Sequence, residues 1–279
     1  MLLRGSGNIR KTGERKMKVV ILAGGKGTRI SEESQWKPKP MVEVGGRPIL
    51  WHIMKIYSYY GFHDFIICCG YKGQMIKEYF VHYYMHQSDS TFSLADRTVS
   101  VHKSSVEPWK VTLVNTGLDT MTAGRILKIR DYIDDEEEFF LTYGDGVADV
   151  NIAKLLDCHH EYGKIATITA TQPEGRFGTL RIDEQTNQVN GFREKARADQ
   201  VWVNAGFMVL NRKIFEYLGD GSQMLEAGPM EAVASAGGMM AYRHNGFWSP
   251  MDTLKDKEYL EELWESQKAP WKVWGENYD

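Results

Sequence analysis

The chain has 279 residues, of which 34 are basic, 37 are acidic and 42% are hydrophobic, and its formal charge is −3. These values are typical of a globular protein, and they exclude a disordered, collagen-like or disulfide-scaffold chain. A near-neutral charge also argues against a protein that binds nucleic acid or a membrane surface, because such a binding face would be basic. No run approaches the roughly 20 apolar residues of a membrane span. We therefore expect neither nucleic acid nor membrane among the partners.

The first sixteen residues differ from the rest of the chain. They are polar and basic, and Met17 stands directly before the first apolar run. With five basic residues and one acidic residue, this segment carries +4, so the remaining 263 residues carry −7. We predict that residues 1–16 are a disordered leader or tag and that residues 17–279 form the functional domain.

Cysteine usage indicates the compartment. Cys68 and Cys69 are adjacent in an apolar run, and Cys158 is the only other cysteine. An odd number of cysteines in this arrangement favours reduced thiols, and no apolar signal segment is visible. We therefore expect a cytoplasmic protein.

Apolar runs alternate with amphipathic segments along most of the chain. Strands are predicted over residues 18–22, 65–69, 111–114, 139–142 and 166–170, and helices over 48–60, 74–84, 126–133 and 152–162. This alternation predicts an α/β fold, a Rossmann-like, mostly parallel mixed sheet covered by helices, whose ligands bind at the carboxyl ends of the strands. Short strands over 179–182, 189–193 and 208–210 then precede an amphipathic helix over 253–267.

A glycine-rich turn follows the first predicted strand, in the run Leu22-Ala23-Gly24-Gly25-Lys26-Gly27-Thr28-Arg29. Its three glycines let the backbone wrap closely around a phosphate, and the amides of such a turn bind anions together with the start of a following helix. The run matches neither a Walker A loop nor a dinucleotide fingerprint. On this motif alone, phosphate binding and a plain strand-to-helix turn both stay open.

The run Lys37-Pro38-Lys39-Pro40-Met41 lies close behind the glycine turn. Two prolines fix an extended segment and hold both lysines in a rigid frame. Residues 26–39 carry a local charge of +2 within a body of −7. This concentration of charge favours phosphate contact, and solvated surface lysines are the alternative.

Two aspartates occupy positions suited to a metal ion. Asp145 lies between glycines at the end of a predicted strand, and Asp252 lies just before the last predicted helix. Mg²⁺ prefers one or two carboxylates together with substrate phosphates. A tight turn at Asp145 and a helix cap at Asp252 are the alternatives. The two residues are 107 positions apart, so the sequence alone does not show whether they meet.

Taken together, these motifs resemble the sugar-phosphate nucleotidyltransferase family, and within it the glucose-1-phosphate cytidylyltransferase branch. The resemblance extends over residues 17–274 and includes the runs Tyr143-Gly144-Asp145-Gly146, Gly175-Arg176-Phe177-Gly178 and Phe247-Trp248-Ser249-Pro250-Met251-Asp252-Thr253. It implies transfer of the CMP moiety of CTP to α-D-glucose 1-phosphate, which gives CDP-glucose and pyrophosphate, with Mg²⁺ as cofactor. In-line transfer of this kind needs positioning and charge neutralisation more than covalent chemistry.

The resemblance also implies roles for single residues. Arg29 and Lys39 would be catalytic, and Asp145 and Asp252 would hold Mg²⁺. The nucleotide would be bound by Leu22, Gly24, Gly25, Gly27, Thr28, Arg29, Arg125, Tyr143 and Gly144. The sugar phosphate would be bound by Gly178, Glu194, Lys195 and Asn204.

The resemblance further implies a homo-oligomer, a hexamer, and a product that feeds CDP-linked deoxyhexoses of bacterial surface polysaccharide. The sequence departs from the family pattern mainly on the sugar side, at Asn115, Ala123, Ala196, Ala205 and Gly228. Three alternatives therefore stay open: a nucleotidyltransferase with another phosphorylated acceptor, a glycosyltransferase that uses a nucleotide sugar, and a catalytically silent nucleotide-binding subunit.

Overall fold

A seven-stranded sheet forms the centre of the computed structural model, which describes residues 15–27, 36–133, 136–173, 179–183, 185–193 and 201–275. In chain order, the strands are β1 Arg15–Ala23, β2 Glu43–Val44, β3 Arg47–Pro48, β4 Phe62–Cys69, β5 Ser88–Ser93, β6 Thr98–Ser104, β7 Lys110–Asn115, β8 Glu138–Tyr143, β9 Gly146–Ala148, β10 Ala166–Thr171, β11 Thr179–Ile182, β12 Val189–Arg193, β13 Val203–Asn211, β14 Met239–His244 and β15 Trp248–Pro250. The α-helices are α1 Ile49–Tyr59, α2 Gly73–His86, α3 Thr122–Leu127, α4 Arg130–Ile133, α5 Ile152–Tyr162, α6 Pro229–Ser235 and α7 Leu254–Glu265. Short 3₁₀ turns span Lys39–Met41 and Arg212–Glu216.

The sheet is mostly parallel, which confirms the predicted fold class. Its strand order is β14-β10-β13-β8-β1-β4-β7, and only β13 runs antiparallel to its neighbours. β1 lies between β4 and β8 in parallel register, with Ile21 opposite both Ile67 and Thr142. Because parallel strands are covered on both faces, the residues from Val19 to Ile21 are fully buried.

Helices cover both faces, and β1 shows the division residue by residue. Val19 and Ile21 belong to a core cluster with residues of α1 and α5 and with Trp271, which follows α7. Val20 and Leu22 point to the opposite face and pack with residues of α3 and α6. Successive side chains of a strand point to opposite faces of the sheet, so β1 contributes to a separate hydrophobic core on each face.

Several predicted boundaries need correction. The helix predicted over residues 126–133 is wrong in extent, because it is divided into α3 and α4 and α3 already begins at Thr122. β1 begins at Arg15, two residues before the predicted domain start, and the other residues of the predicted leader lie outside the described ranges. No helix within the described ranges is long and apolar enough to cross a membrane.

Candidate active site

A cavity of about 890 Å³ opens at the carboxyl ends of β1 and β8, beside the start of β13. This is the edge where open α/β sheets bind ligands. The volume suits a ligand pocket, whose usual range is roughly 300–1,000 Å³. Residues of the glycine turn, the lysine–proline run, both aspartates and Asn204 line it together. Motifs that are far apart in sequence thus share one cavity.

A short ribbon brings the two aspartates together. β9 and β15 pair antiparallel, with Gly146 opposite Pro250. Just beyond that pair, the amide of Met251 donates to the carbonyl of Asp145 at 2.8 Å. Asp145 and Asp252 therefore flank the same end of the ribbon, although 107 positions separate them in the chain.

Lys39 lies between these two carboxylates. Its Nζ is 2.7 Å from Oδ2 of Asp145 and 2.7 Å from Oδ1 of Asp252, and its side chain is only 10% exposed. Burial lowers the pKa of Lys39, but attraction and hydrogen bonds from Asp145 and Asp252 outweigh that effect and leave the pKa above its usual value. The lysine is therefore a charged, centrally placed cation of the site.

The lysine–proline run is not fully extended as predicted. Pro38 has an extended backbone, but residues 39–41 form a 3₁₀ turn that begins with Lys39 and Pro40. This turn directs Lys39 into the cavity, whereas Lys37 pairs with Glu43 at 2.5 Å in a more exposed position. The two lysines of the run thus differ in environment.

The cap of α7 decides between the two interpretations of Asp252. Thr253 is the N-cap, since its hydroxyl accepts from the Asp256 amide at 3.2 Å, and Asp256 completes a capping box. Asp252 therefore does not cap the helix with its carboxylate. That carboxylate is directed to Lys39 and the cavity instead.

Arg125 holds the glycine turn. Its guanidinium donates to Gly24 O at 2.9 Å and to Thr116 Oγ1 at 2.6 Å, and two further bonds reach the carbonyls of Gly117 and Leu118. A Cβ on Gly24 would lie 2.2 Å from Arg125 Nη1, which explains the need for glycine there. Arg125 lines the cavity, and its direct contact with a nucleotide stays a prediction.

The opposite wall carries Glu226, a polar group that the sequence did not single out. The Tyr143 hydroxyl donates to Glu226, and the Thr122 hydroxyl donates to the same carboxylate at 3.1 Å. Burial and the Glu226 charge raise the pKa of Tyr143, so its hydroxyl stays protonated as a donor. Asn204 and Trp248 also line the cavity, and the contact of Asn204 with a sugar phosphate stays a prediction. No motif signals Glu226, because only the fold brings its loop to the site.

Four of the predicted nucleotide residues, Leu22, Gly24, Gly25 and Gly27, line the cavity on β1 and the turn after it, and Tyr143 and Gly144 line it at the end of β8 and directly after it. The other predicted residues, Thr28, Arg29, Gly178, Glu194 and Lys195, lie outside the described ranges.

The donor set of the aspartate pair suits a hard divalent cation. Both donors are carboxylate oxygens, and both lie within 2.7 Å of one nitrogen, so one small cation could contact both. No group of three or more His, Cys, Asp or Glu side chains with metal-binding geometry occurs within the described part of the chain. Mg²⁺ is rarely enclosed by protein ligands alone. A pair of carboxylates that leaves the other coordination positions of the ion to substrate phosphates therefore suits it.

Comparisons with known proteins identify the family of the chain. A family model described as nucleotidyl transferase matches residues 18–255. The glucose-1-phosphate cytidylyltransferase of Salmonella typhi is 55% identical over 258 residues, which are 92% of this chain and 100% of that protein. A probable glucose-1-phosphate cytidylyltransferase of Bacillus subtilis is 45% identical with the same two coverages.

Solved structures show the same fold at lower identity. HddC from Yersinia pseudotuberculosis, complexed with GMP-PN, has a TM-score of 0.64 at 24% identity, over 89% of this chain and 99% of that chain. A putative glucose-1-phosphate thymidylyltransferase from Bacillus anthracis has a TM-score of 0.64 at 16% identity, over 94% of this chain and 98% of that chain. From the extent of the family match and the identity to its relatives, the chain belongs to the nucleotidyl transferase family.

Proposed function

We propose that this enzyme transfers the CMP moiety of CTP to α-D-glucose 1-phosphate and releases CDP-glucose and pyrophosphate. The observation that carries the proposal is the placement of Lys39 between Asp145 and Asp252, at the edge of a cavity that also contains the glycine turn. The choice of CTP and glucose 1-phosphate is supported by the names of relatives at 55% and 45% identity.

The chemical step needs no nucleophilic side chain. A phosphate oxygen of the sugar phosphate attacks the α-phosphorus of CTP, and the bond from that phosphorus to the oxygen bridging it to the β-phosphorus breaks. The electron pair of the broken bond leaves with pyrophosphate, and no proton has to be transferred because the attacking phosphate is already ionised. Catalysis therefore consists of alignment and of stabilising charge on the phosphate oxygens.

Lys39 is the described residue best placed for this charge stabilisation. Its ammonium is held by two carboxylates, but its long side chain can turn from them to phosphate oxygens while the 3₁₀ turn stays fixed. Preorganised cations of this kind are worth most where water is excluded. The amides of residues 24–27 would bind phosphates on the other side of the cavity.

Asp145 and Asp252 would hold Mg²⁺, which would bring further positive charge to the phosphates when it is bound. The support is the oxygen-only donor set and the closeness of both carboxylates to one point. Entry of a divalent cation between them requires Lys39 to move away, since the ammonium occupies that position.

Measurement of pyrophosphate release across nucleotides and acceptors tests the proposal. CTP, UTP, dTTP and ATP are each combined with several sugar 1-phosphates, with Mg²⁺ and with EDTA. We expect the highest kcat/KM for CTP with glucose 1-phosphate, and no release in EDTA. Preference for another acceptor would move the assignment to a different sugar, and release of a nucleoside diphosphate from a nucleotide sugar would indicate a glycosyltransferase. The absence of activity with every pair would favour the silent-subunit alternative.

Three features from the family resemblance stay predictions. We propose a homohexamer, which analytical ultracentrifugation would show as a sixfold mass. We propose a location in the cytosol, in accord with three free cysteines. The product would supply CDP-linked deoxyhexoses of surface polysaccharide.

A further inference from the structure

We propose that Asp149 and His244 are positioning residues that hold the two aspartates of the active site in register. The inference rests on the proposed function, because it concerns the carboxylate pair assigned to Mg²⁺. Neither side chain reaches that pair. They act at the opposite end of the ribbon formed by β9 and β15, four residues or roughly 13 Å from Asp145.

The ribbon cannot keep its register unaided. It has three residue pairs, from Gly146 opposite Pro250 to Ala148 opposite Trp248. No turn joins its strands, since about a hundred residues lie between them. Even a longer two-stranded hairpin with a turn is only marginally stable in water. Its two ends therefore need to be fixed by other contacts.

A polar clasp, which we define as Asp149, His244 and Phe247, closes the far end. The Phe247 amide donates to Asp149 Oδ1 at 2.7 Å, and the Asp149 amide donates to the Phe247 carbonyl at 3.2 Å. His244 Nε2 is 2.9 Å from Asp149 Oδ1 and 3.1 Å from the Phe247 carbonyl. Because both of these atoms are acceptors, Nε2 carries the hydrogen and donates to them.

The clasp also attaches the ribbon to the main sheet. His244 is the last residue of β14, and its side chain is only 9% exposed. Trp248 adds a second attachment, because its Nε1 donates to the Ala205 carbonyl on β13 at 2.8 Å. The position of Asp252 relative to Asp145 is therefore set through the ribbon by the ends of two sheet strands.

Gly246 shows how closely the clasp is packed. A Cβ at this position would lie 2.4 Å from Asp149 Oδ1 and 2.7 Å from His244 Cε1. Its backbone does not have a positive φ, so alanine is compatible with the local chain conformation. Gly246→Ala should therefore displace the Asp149 carboxylate without straining the backbone.

The test measures Mn²⁺ binding by electron paramagnetic resonance in the presence of a non-hydrolysable CTP analogue, together with the melting temperature. We expect Asp149→Ala and His244→Ala each to raise the Kd for Mn²⁺ by about fivefold or more. Loss of a residue that contacts a metal ligand directly typically costs about tenfold or more, and the clasp acts from a greater distance. Asp149→Asn keeps an oxygen acceptor for the Phe247 amide and should restore most of the affinity. His160→Ala is the matched control. His160 also forms a histidine–carboxylate pair, since its Nε2 lies 2.5 Å from Glu138 Oε1, but neither residue belongs to the ribbon or the clasp.

Gly246→Ala is the second probe, in case either side-chain deletion prevents folding, and should weaken Mn²⁺ binding in the same direction. Folded Asp149→Ala, His244→Ala and Gly246→Ala variants that all bind Mn²⁺ within twofold of the wild type would overturn the inference. If the wild type itself binds no Mn²⁺ with the nucleotide analogue, the metal assignment in the proposed function fails instead.

Discussion

Lys39 has two carboxylate neighbours at equal distance, and this makes it the most informative single residue of the site. We expect Lys39→Ala to lower kcat/KM at least about 100-fold, a loss of about 2.7 kcal/mol, because its charge would stabilise the phosphates during transfer. Lys37→Ala is the control, since Lys37 belongs to the same run but pairs with Glu43 at the surface. Steady-state kinetics that show equal effects for both variants would remove the special role of Lys39.

The same substitution makes a second prediction in the absence of nucleotide. Without the Lys39 ammonium, Asp145 and Asp252 would lose the cation that lies 2.7 Å from an oxygen of each carboxylate. Lys39→Ala should therefore bind Mn²⁺ more tightly than the wild type when no CTP is present. Isothermal titration calorimetry measures this, and equal or weaker binding by the variant would show that the lysine does not occupy the cation's position.

The residues that form the site were predictable only where a local motif marked them. Asp145 is flanked by glycines and Lys39 by prolines, so both were predicted from the sequence. Only the structure showed whether Asp252 caps the last helix or faces the cavity, because Asp and Thr are both preferred N-cap residues and the sequence did not distinguish Asp252 from Thr253. Glu226 was missed because it lies in a loop without a motif, and only the packing of α3 and β8 brings Thr122 and Tyr143 to it.

At the scale of elements, α7 is fixed at its start by the Thr253 capping box next to Asp252. Thr253→Ala should reduce the free energy of unfolding by about 1 kcal/mol, because the Asp256 amide loses its acceptor. Ser266→Ala at the C-terminal end of the same helix is the control, and its exposed hydroxyl should contribute much less. Urea denaturation compares the two, and equal midpoints would mean that the cap contributes little.

Predicted elements agree with the structure where apolar residues recur at a clear period. The bounds of α5, β11 and β12 were predicted to the residue, and the ends of the other predicted strands are extended by one to five residues. The hairpin of β5 and β6 was missed because its strands are mostly polar and largely exposed, and the apolar alternation of β6 is limited to Val99 and Val101. β9 and β15 were missed because each has only three residues.

At the scale of the whole molecule, the buried His52 links α1 to the C-terminal part of the chain, because Trp264 and Trp271 both contact its ring. His52 Nε2 lies 2.8 Å from the Val44 carbonyl oxygen, and Trp271 Nε1 donates to His52 Nδ1 at 3.3 Å, with Trp264 packed edge-on against the histidine ring. Since a carbonyl can only accept, Nε2 of His52 carries the hydrogen and Nδ1 accepts. Burial lowers the pKa of His52 to about 4, and the nearby Arg47 and Lys272 charges act in the same direction.

This histidine predicts acid sensitivity. The unfolded chain binds a proton at His52 below about pH 6.5, whereas the folded chain does so only near pH 4, so stability is present above pH 6.5 and falls as the pH drops from 6.5 to 4. The loss amounts to about 3 kcal/mol, at 1.36 kcal/mol per pKa unit. Burial also lowers the pKa of His159, so the test compares the wild type with His52→Gln. Thermal melts should show a weaker dependence on pH in the variant, and an unchanged slope would contradict the role of His52.

The charge distribution of the molecule fits its proposed substrates. Outside the first sixteen residues the chain carries −7, yet Lys26 and Lys39 lie at the cavity. Asp145 and Asp252 belong to the negative total, and both carboxylates are paired with Lys39. Net charge alone could not reveal that Lys26 and Lys39 lie together at the cavity, because that depends on where a few charges are placed.

The central claim, that the cavity transfers CMP to a sugar phosphate, is tested most directly by identifying the product. The protein is incubated with CTP, α-D-glucose 1-phosphate and Mg²⁺, and the mixture is analysed by liquid chromatography with mass spectrometry. We expect CDP-glucose in equal amount to the pyrophosphate released, with far less product from Lys39→Ala than from Lys37→Ala. Release of pyrophosphate with CMP but no CDP-sugar, or no CTP consumption with any sugar 1-phosphate, would contradict it.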